Sequence, residues 1–371
     1  MSRYQFELAT DADDAELRNI LATTPMPGKI SVTFQREPSY FAAAAVDGTF
    51  RQVVICRDRD TKRILGLGSR SVREVYVNDR PTPIGYLSML RALPQYRNMG
   101  LVARGYKYLR DLHSDGRAEL YLTTIAEGND RAISILTSGR AGLPTYHMAG
   151  KYYTVAIPIL KRLRQQPAGT SVNVRPATKA DLDALLTFLE RVGPARQFFP
   201  RYQSSDFFNS EGTFKDLNPS DLLLAFQKGK LVGTLGGWDQ HRFRQTVVQR
   251  YDSPLQWLWP AYNCWARLRG RPKLPRPGEP FRYIVGALPV VENDDPGVFT
   301  ALLTSLLARL SICQADYLLL GLHEADALLP FVIKRGTTSY MTRLYHACWE
   351  DGEALRSRLD GRSLYLELGC L

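Results

Sequence analysis

The stretch Gly85-Tyr86-Leu87-Ser88-Met89-Leu90-Arg91-Ala92-Leu93-Pro94-Gln95-Tyr96-Arg97-Asn98-Met99-Gly100-Leu101-Val102-Ala103 reads as an apolar strand, a proline, a donor-rich turn and a helix start. A helix start leaves about four backbone N–H groups without intrahelical partners and carries partial positive charge, so it stabilises an anion without any cationic side chain. Gly100 has no Cβ to hold such a ligand away. The stretch therefore predicts a phosphate cradle at the junction of a strand and a helix.

Around it, the 371 residues exceed the usual size of a single core, which predicts two domains. With 44% hydrophobic and 23% charged residues the chain is neither disordered nor fibrous. The five cysteines, Cys56, Cys264, Cys313, Cys348 and Cys370, are scattered, with no CxxC pair and no His/Cys grouping at metal-ligand spacing. That predicts reduced thiols, no metal site and a cytoplasmic location. The N-terminal residues lack a signal-peptide apolar region, and no apolar run reaches membrane-spanning length. The formal charge of +11 comes largely from arginines spread along the chain, which a solvated basic surface that steers an anionic cofactor or substrate explains as well as nucleic-acid binding does, and nucleic acid is not the expected partner.

An internal repeat sets the domain organisation. Ala9-Thr10-Asp11-Ala12-Asp13 and Ala177-Thr178-Lys179-Ala180-Asp181 share the pattern Ala-Thr-x-Ala-Asp, 168 positions apart, each closing a short strand and opening a helix. After the first copy come strands over 51–56 and 64–77, a hairpin turn at Asn78-Asp79-Arg80-Pro81, and a strand over 84–93 into the cradle. A helix over 103–112, a strand over 119–125, a helix over 129–136 and a closing strand over 152–159 follow. The second copy repeats the order: a hairpin about Lys228-Gly229-Lys230, a strand over 282–291, a helix over 298–310, a strand over 317–322, a helix over 328–335, and closing strands over 339–349 and 363–368. Residues 1–160 and 172–371 are thus expected to be two copies of one α/β (α+β) domain. Each would be a twisted mixed sheet with helices on both faces, and 161–171 would be a charged, Pro- and Gly-containing linker.

The run Leu93-Pro94-Gln95-Tyr96-Arg97-Asn98-Met99-Gly100-Leu101-Val102-Ala103 resembles the acetyl-CoA signature of the GNAT superfamily of N-acetyltransferases, Arg/Gln-x-x-Gly-x-Gly/Ala after a strand and a proline. Val102 stands where that family has Gly or Ala, with Ala103 next. The resemblance implies acetyl-CoA or another acyl-CoA as cofactor, its pyrophosphate on the N–H groups of Asn98, Met99, Gly100, Leu101, Val102 and Ala103. Arg97 and Arg104 would flank it. The pantetheine arm would pair with the strand carrying Met89, Arg91 and Leu93, as a peptide pairs with a sheet edge. Asn129 resembles the family's second cofactor motif, and capping of the helix it opens is the alternative role. The acceptor implied is a small-molecule or peptide amine, the reaction N-acylation. The family's thiolate-protonating Tyr is replaced here by Leu136. Tyr146 is the nearest substitute, with His147 and Glu74 as candidate bases.

The second copy carries Glu292-Asn293-Asp294-Asp295-Pro296-Gly297 at the cradle position, and its carboxylates repel a phosphate. It is expected to shape the cleft or an oligomer contact and not to bind the cofactor. An insertion over 238–280 interleaves Trp257, Trp259 and Trp265 with arginines, and an aromatic face packed against its own domain or a partner subunit is expected. A binding module without turnover and an acyltransferase fed by an acidic acyl carrier protein remain open beside the acyl-CoA-dependent enzyme.

Overall fold

The computed structural model describes residues 2–97, 99–140, 142–160, 172–333 and 337–371. Asn98 of the cradle and the expected linker 161–171 lie outside these residues.

The first half runs β1 (Tyr4–Leu8), α1 (Asp14–Thr23), β2 (Ile30–Gln35), α2 (Tyr40–Ala44), β3 (Phe50–Asp58), β4 (Ile64–Val77), β5 (Arg80–Ala92), α3 (Leu101–His113), β6 (Leu120–Ala126), α4 (Asp130–Leu136) and β7 (Thr145–Pro158). The second runs β8 (Asn173–Pro176), α5 (Leu182–Val192), β9 (Phe199–Pro200), β10 (Leu222–Gln227), β11 (Lys230–Trp238), β12 (Gln245–Tyr251), α6 (Ser253–Leu268), β13 (Tyr283–Val291), α7 (Pro296–Leu310), β14 (Tyr317–His323), α8 (Leu329–Ile333), β15 (Thr338–Cys348) and α9 (Glu353–Ser357). No described helix is long and apolar enough to cross a membrane.

The repeat is visible at atomic level. The Thr10 amide donates to Asp13 at 2.8 Å and the Thr178 amide to Asp181 at 2.8 Å, the same reciprocal cap opening α1 and α5. Arg57 pairs with Asp13, and Arg175 with Asp181. The tight turn at Asn78 and Asp79, both at positive φ, joins β4 to β5.

The halves do not close separately. The sheet order is β1-β3-β4-β5-β6-β15-β7-β14-β13-β11-β10-β8. β15 lies between β6 and β7, and β7 lies between β15 and β14, so each half inserts its late strand into the other half's sheet. A second junction forms where β12, from the insertion, pairs with β2 of the first half. Residues 363–368, expected as a strand, make one isolated bridge, Leu364 to Gln197, outside the named strands, and Leu368 opens a short 3-10 turn. Alternation along β4 and β5 separates two faces: Val72 and Leu87 pack with α3 and α4, while Val75, Ile84 and Tyr86 face the second half. Trp259 is tied down by its Nε1–H to Leu274 O, but α6 leaves Trp257 81% exposed and Leu268 81% exposed, so its aromatic face is only partly packed.

Candidate functional site

β5 and β6 are parallel neighbours over only two rungs, Gly85 to Tyr121 and Tyr86 to Leu122. Beyond Tyr86 they diverge, leaving β5 from Leu87 to Ala92 with no strand among the described residues on that side. Gly85 sits at the root of the fork because a Cβ there would lie 2.1 Å from the Tyr121 ring. Past the root, the register against β4 slips between Leu67 and Ser69, and Met89 takes φ +55°. Such a bulge twists the strand and re-aims its amides, here toward the open side of the fork. Met89 and Leu93 also pack on the α1–α2 core, which anchors the strand.

The chain then turns through Pro94 to Tyr96 and enters α3 from Gly100. Gly100 has φ +66°, a conformation costing other residues roughly 1–2 kcal/mol, and nothing lies within 4 Å of where its Cβ would be. No side chain among the described residues caps α3, so its first N–H groups face the space beside Gly100. Leu101 is buried against Cys56 and Leu65, and Val102 packs into the core shared by α3 and α4. The Val102 side chain therefore points away from the cradle, and its departure from the family pattern leaves the mouth of the site unobstructed. Met99 is exposed, its sulfur accepting from Tyr4 Oη at 3.7 Å.

Arg91 and Arg97 supply cations without carboxylate partners among the described residues. Arg91 donates to Leu90 O at 2.9 Å, and Arg97 to Ala92 O at 3.2 Å. Burial, with the nearby charges of Arg36 and Arg97, pushes the Arg91 guanidinium below its ordinary range, a strain that an anion would relieve. Arg104 is instead committed to β1, donating to Tyr4 O at 2.7 Å, and is not aimed at the cradle. Asn129 accepts from the Ala132 amide at 3.3 Å, so its side chain caps α4.

The three acid–base candidates do not meet at this fork. Glu74 lies opposite Pro83, ten residues and about 30 Å along β5 from Leu93, paired with Arg201 at 2.9 Å. Tyr146 and His147 are on β7, three strands or about 14 Å from β5. The Tyr146 hydroxyl is held by Tyr106 at 2.5 Å in the α3–α4 core that also buries Leu136, and burial pushes its pKa well up. His147 projects from the opposite face toward Glu353.

A group that pattern reading missed does line the fork's root. A cavity of about 50 Å³ is bounded by Asp47, Ser71, Arg73, Gly85, Tyr86 and Glu367, among others. Glu367 is buried; its Oε2 accepts from the Leu288 amide at 3.1 Å and from Tyr365 Oη at 2.7 Å, while Oε1 has no side-chain or backbone hydrogen bond of good geometry among the described residues. Burial raises its pKa to about 7. Behind the cavity, Asp47 is clamped between buried Arg36, at 2.9 Å, and Arg244 from the insertion. Nothing in the local sequence flags Glu367, because Leu366-Glu367-Leu368 reads as an ordinary alternating strand.

The second half shows the same framework closed. β13 and β14 pair from Tyr283 to Val285, then diverge, and Leu288 takes φ +50° at a bulge three residues after the last rung, as Met89 does after Tyr86. Here, however, the Leu288 amide is occupied by Glu367. The start of α7 is capped from within, Asp295 accepting from Gly297 and Val298 amides at 2.7 and 3.1 Å. Glu292 is tied by Arg191 and Lys230, and Asp294 by Arg196.

No protein-family model matches the chain, and no curated protein matches it in sequence. Solved structures match its fold. A GCN5-related glucosamine N-acetyltransferase region of a fungal multi-domain GH3 beta-N-acetylglucosaminidase superposes with a TM-score of 0.61 at 13% identity over 93% of this chain, which spans only 38% of that one. A GCN5-related N-acetyltransferase from Sphaerobacter thermophilus gives 0.56 at 13% identity, covering 100% of this chain and 99% of that chain. The N-myristoyltransferase of Saccharomyces cerevisiae, solved with bound myristoyl-CoA, gives 0.59 at 11% identity over 99% of this chain and 86% of its own. Forked sheet, bulge, glycine-started helix and duplicated framework together are the GNAT fold in a tandem arrangement.

Proposed function

We propose that the chain transfers an acyl group from acyl-CoA to an amine, using a single donor site in its first half. The carrying observation is the contrast between two equivalent forks. In the first, the β5 edge, the uncapped start of α3 and the Arg91 and Arg97 cations stand open. In the second, the chain's own carboxylates occupy the corresponding donors. The α3 amides from Leu101 to Ala103, with Asn98, Met99 and Gly100, would hold the pyrophosphate, and β5 would pair with the pantetheine arm. Amides at the bulge would face the oxyanion as amine nitrogen bonds to the thioester carbon and the C–S bond breaks.

Glu367 is our candidate for the group that takes the amine proton. It borders the cavity at the fork's root, and a carboxyl with a pKa near 7 suits proton transfer at neutral pH. The acetyl group is the donor we favour, on the resemblance of residues 93–103, and a small-molecule or peptide amine the acceptor. Binding without turnover is the second reading, favoured by Leu136 at the expected proton-donor position and by the burial of Tyr146.

Calorimetry should find one acetyl-CoA per chain in the wild type, and none for Gly100→Glu, whose carboxylate would enter the cradle. Two sites, or unchanged affinity in the variant, would overturn the site assignment. Thiol release with a panel of amines separates turnover from binding alone.

A further inference from the structure

His147, Cys348 and Glu353 come from three elements of both halves, yet their donor atoms gather on the sheet face opposite α3. Glu353 Oε2 lies 3.4 Å from His147 Nε2 and 3.5 Å from Cys348 Sγ, and all three atoms fall within 4.8 Å of one another. In a tetrahedral zinc site, bonds of about 2.0–2.3 Å place neighbouring donors about 3.3–3.6 Å apart. Two of the three edges already have that length.

The sheet explains the gathering. His147 on β7 stands directly opposite His346 on β15, and Cys348 follows His346 by two residues, hence on the same face. α9, just beyond β15, brings Glu353 over them. Cys348 is 1% exposed, so the site is shielded on one side. The His147 Nε2 and His346 Nε2 atoms are both buried without hydrogen-bond partners among the described residues. The unpartnered His147 nitrogen beside one carboxylate and one thiol makes a mixed N, O and S donor set, suited to a borderline-soft divalent ion.

We propose that His147 Nε2, Cys348 Sγ and Glu353 Oε2 bind a zinc-class divalent cation, with solvent taking the fourth position. Binding displaces the Cys348 thiol proton to solvent; no oxidation occurs. Arg356 Nε donates to both oxygens of Glu353, at 2.9 Å to Oε1 and 3.0 Å to Oε2, which orients the carboxylate and leaves Oε2 shared between Arg356 and the site. The cation pins β7 of one half to β15 and α9 of the other, across the strand exchange.

The probe is Co²⁺ added to the full chain after chelator treatment. The expected result is a near-ultraviolet thiolate-to-cobalt band with visible bands of tetrahedral cobalt, both bleached by an equivalent of Zn²⁺. Cys348→Ser abolishes the thiolate band, and His147→Ala weakens binding at least about tenfold. The double variant Cys264→Ser with Cys313→Ser removes the exposed thiols and retains the band. A wild type lacking the thiolate band overturns the proposal, as does a band lost with the exposed thiols. A wild type without the band is decisive by itself, and far-ultraviolet circular dichroism of each variant separates loss of the site from loss of the fold; none of these readouts depends on acyl transfer.

Discussion

Glu367 ties the candidate chemistry to the stability of the fold. Its carboxyl is fully buried, and desolvation lifts it from an ordinary 4.5 to about 7. Between those values the native state keeps a proton that the unfolded chain has released. Stability therefore falls as pH rises through this window, the contribution being whole below about 4.5 and gone above about 7. At about 1.36 kcal/mol per pH unit, the difference comes to about 3 kcal/mol. Gln at this position does not titrate. Urea unfolding of wild type and Glu367→Gln, followed by tryptophan fluorescence at pH 4 and pH 8, isolates the effect, because the other titrating groups cancel in the difference between the two proteins. The variant should gain about 3 kcal/mol on wild type between pH 4 and pH 8. A difference that stays constant within about 1 kcal/mol would show that Glu367 titrates as an ordinary carboxylate, and would remove the basis for giving it the amine proton.

Two further outcomes follow from the contacts between halves. Asp47→Asn leaves Arg36 and Arg244 buried beside a neutral amide and should cost about 3–5 kcal/mol, read as a lowered urea midpoint. Residues 1–160 expressed alone should lack cooperative unfolding, since β15 is missing from between β6 and β7; a sharp thermal transition in that fragment would contradict the exchange.

Local patterns were legible where one segment carries the whole signal. The Thr-to-Asp caps, the Asn78-Asp79 turn and the glycine start of α3 each depend on residues within four positions of one another, so periodicity and turn chemistry sufficed. Tyr146 and His147 failed as neighbours of the cradle because their distance from it is set by strand order, which leaves no local trace, whereas Glu74 failed through its register along the β4–β5 hairpin, which puts it opposite Pro83. The same reason hid the gathering of His147 with Cys348 and Glu353, some two hundred residues apart in the chain. Spacing rules for metal ligands detect sites built on one loop or helix and are blind to a site assembled across a sheet. Val102 and Leu136 read as departures from a motif, and the structure shows both as core residues of the α3–α4 face.

The strand exchange also sets an order of events during synthesis. β6 ends at Ala126, while its neighbour β15 begins at Thr338, more than two hundred residues later. At roughly 5–20 residues per second, β6 emerges from the ribosome roughly 10 to 40 s before its partner exists. Throughout that interval its edge presents unpaired backbone groups, a template for mispairing with another nascent chain. Translation speed and chaperone holding over this interval therefore govern the yield of folded protein, and a slowed ribosome between the halves lengthens the exposure.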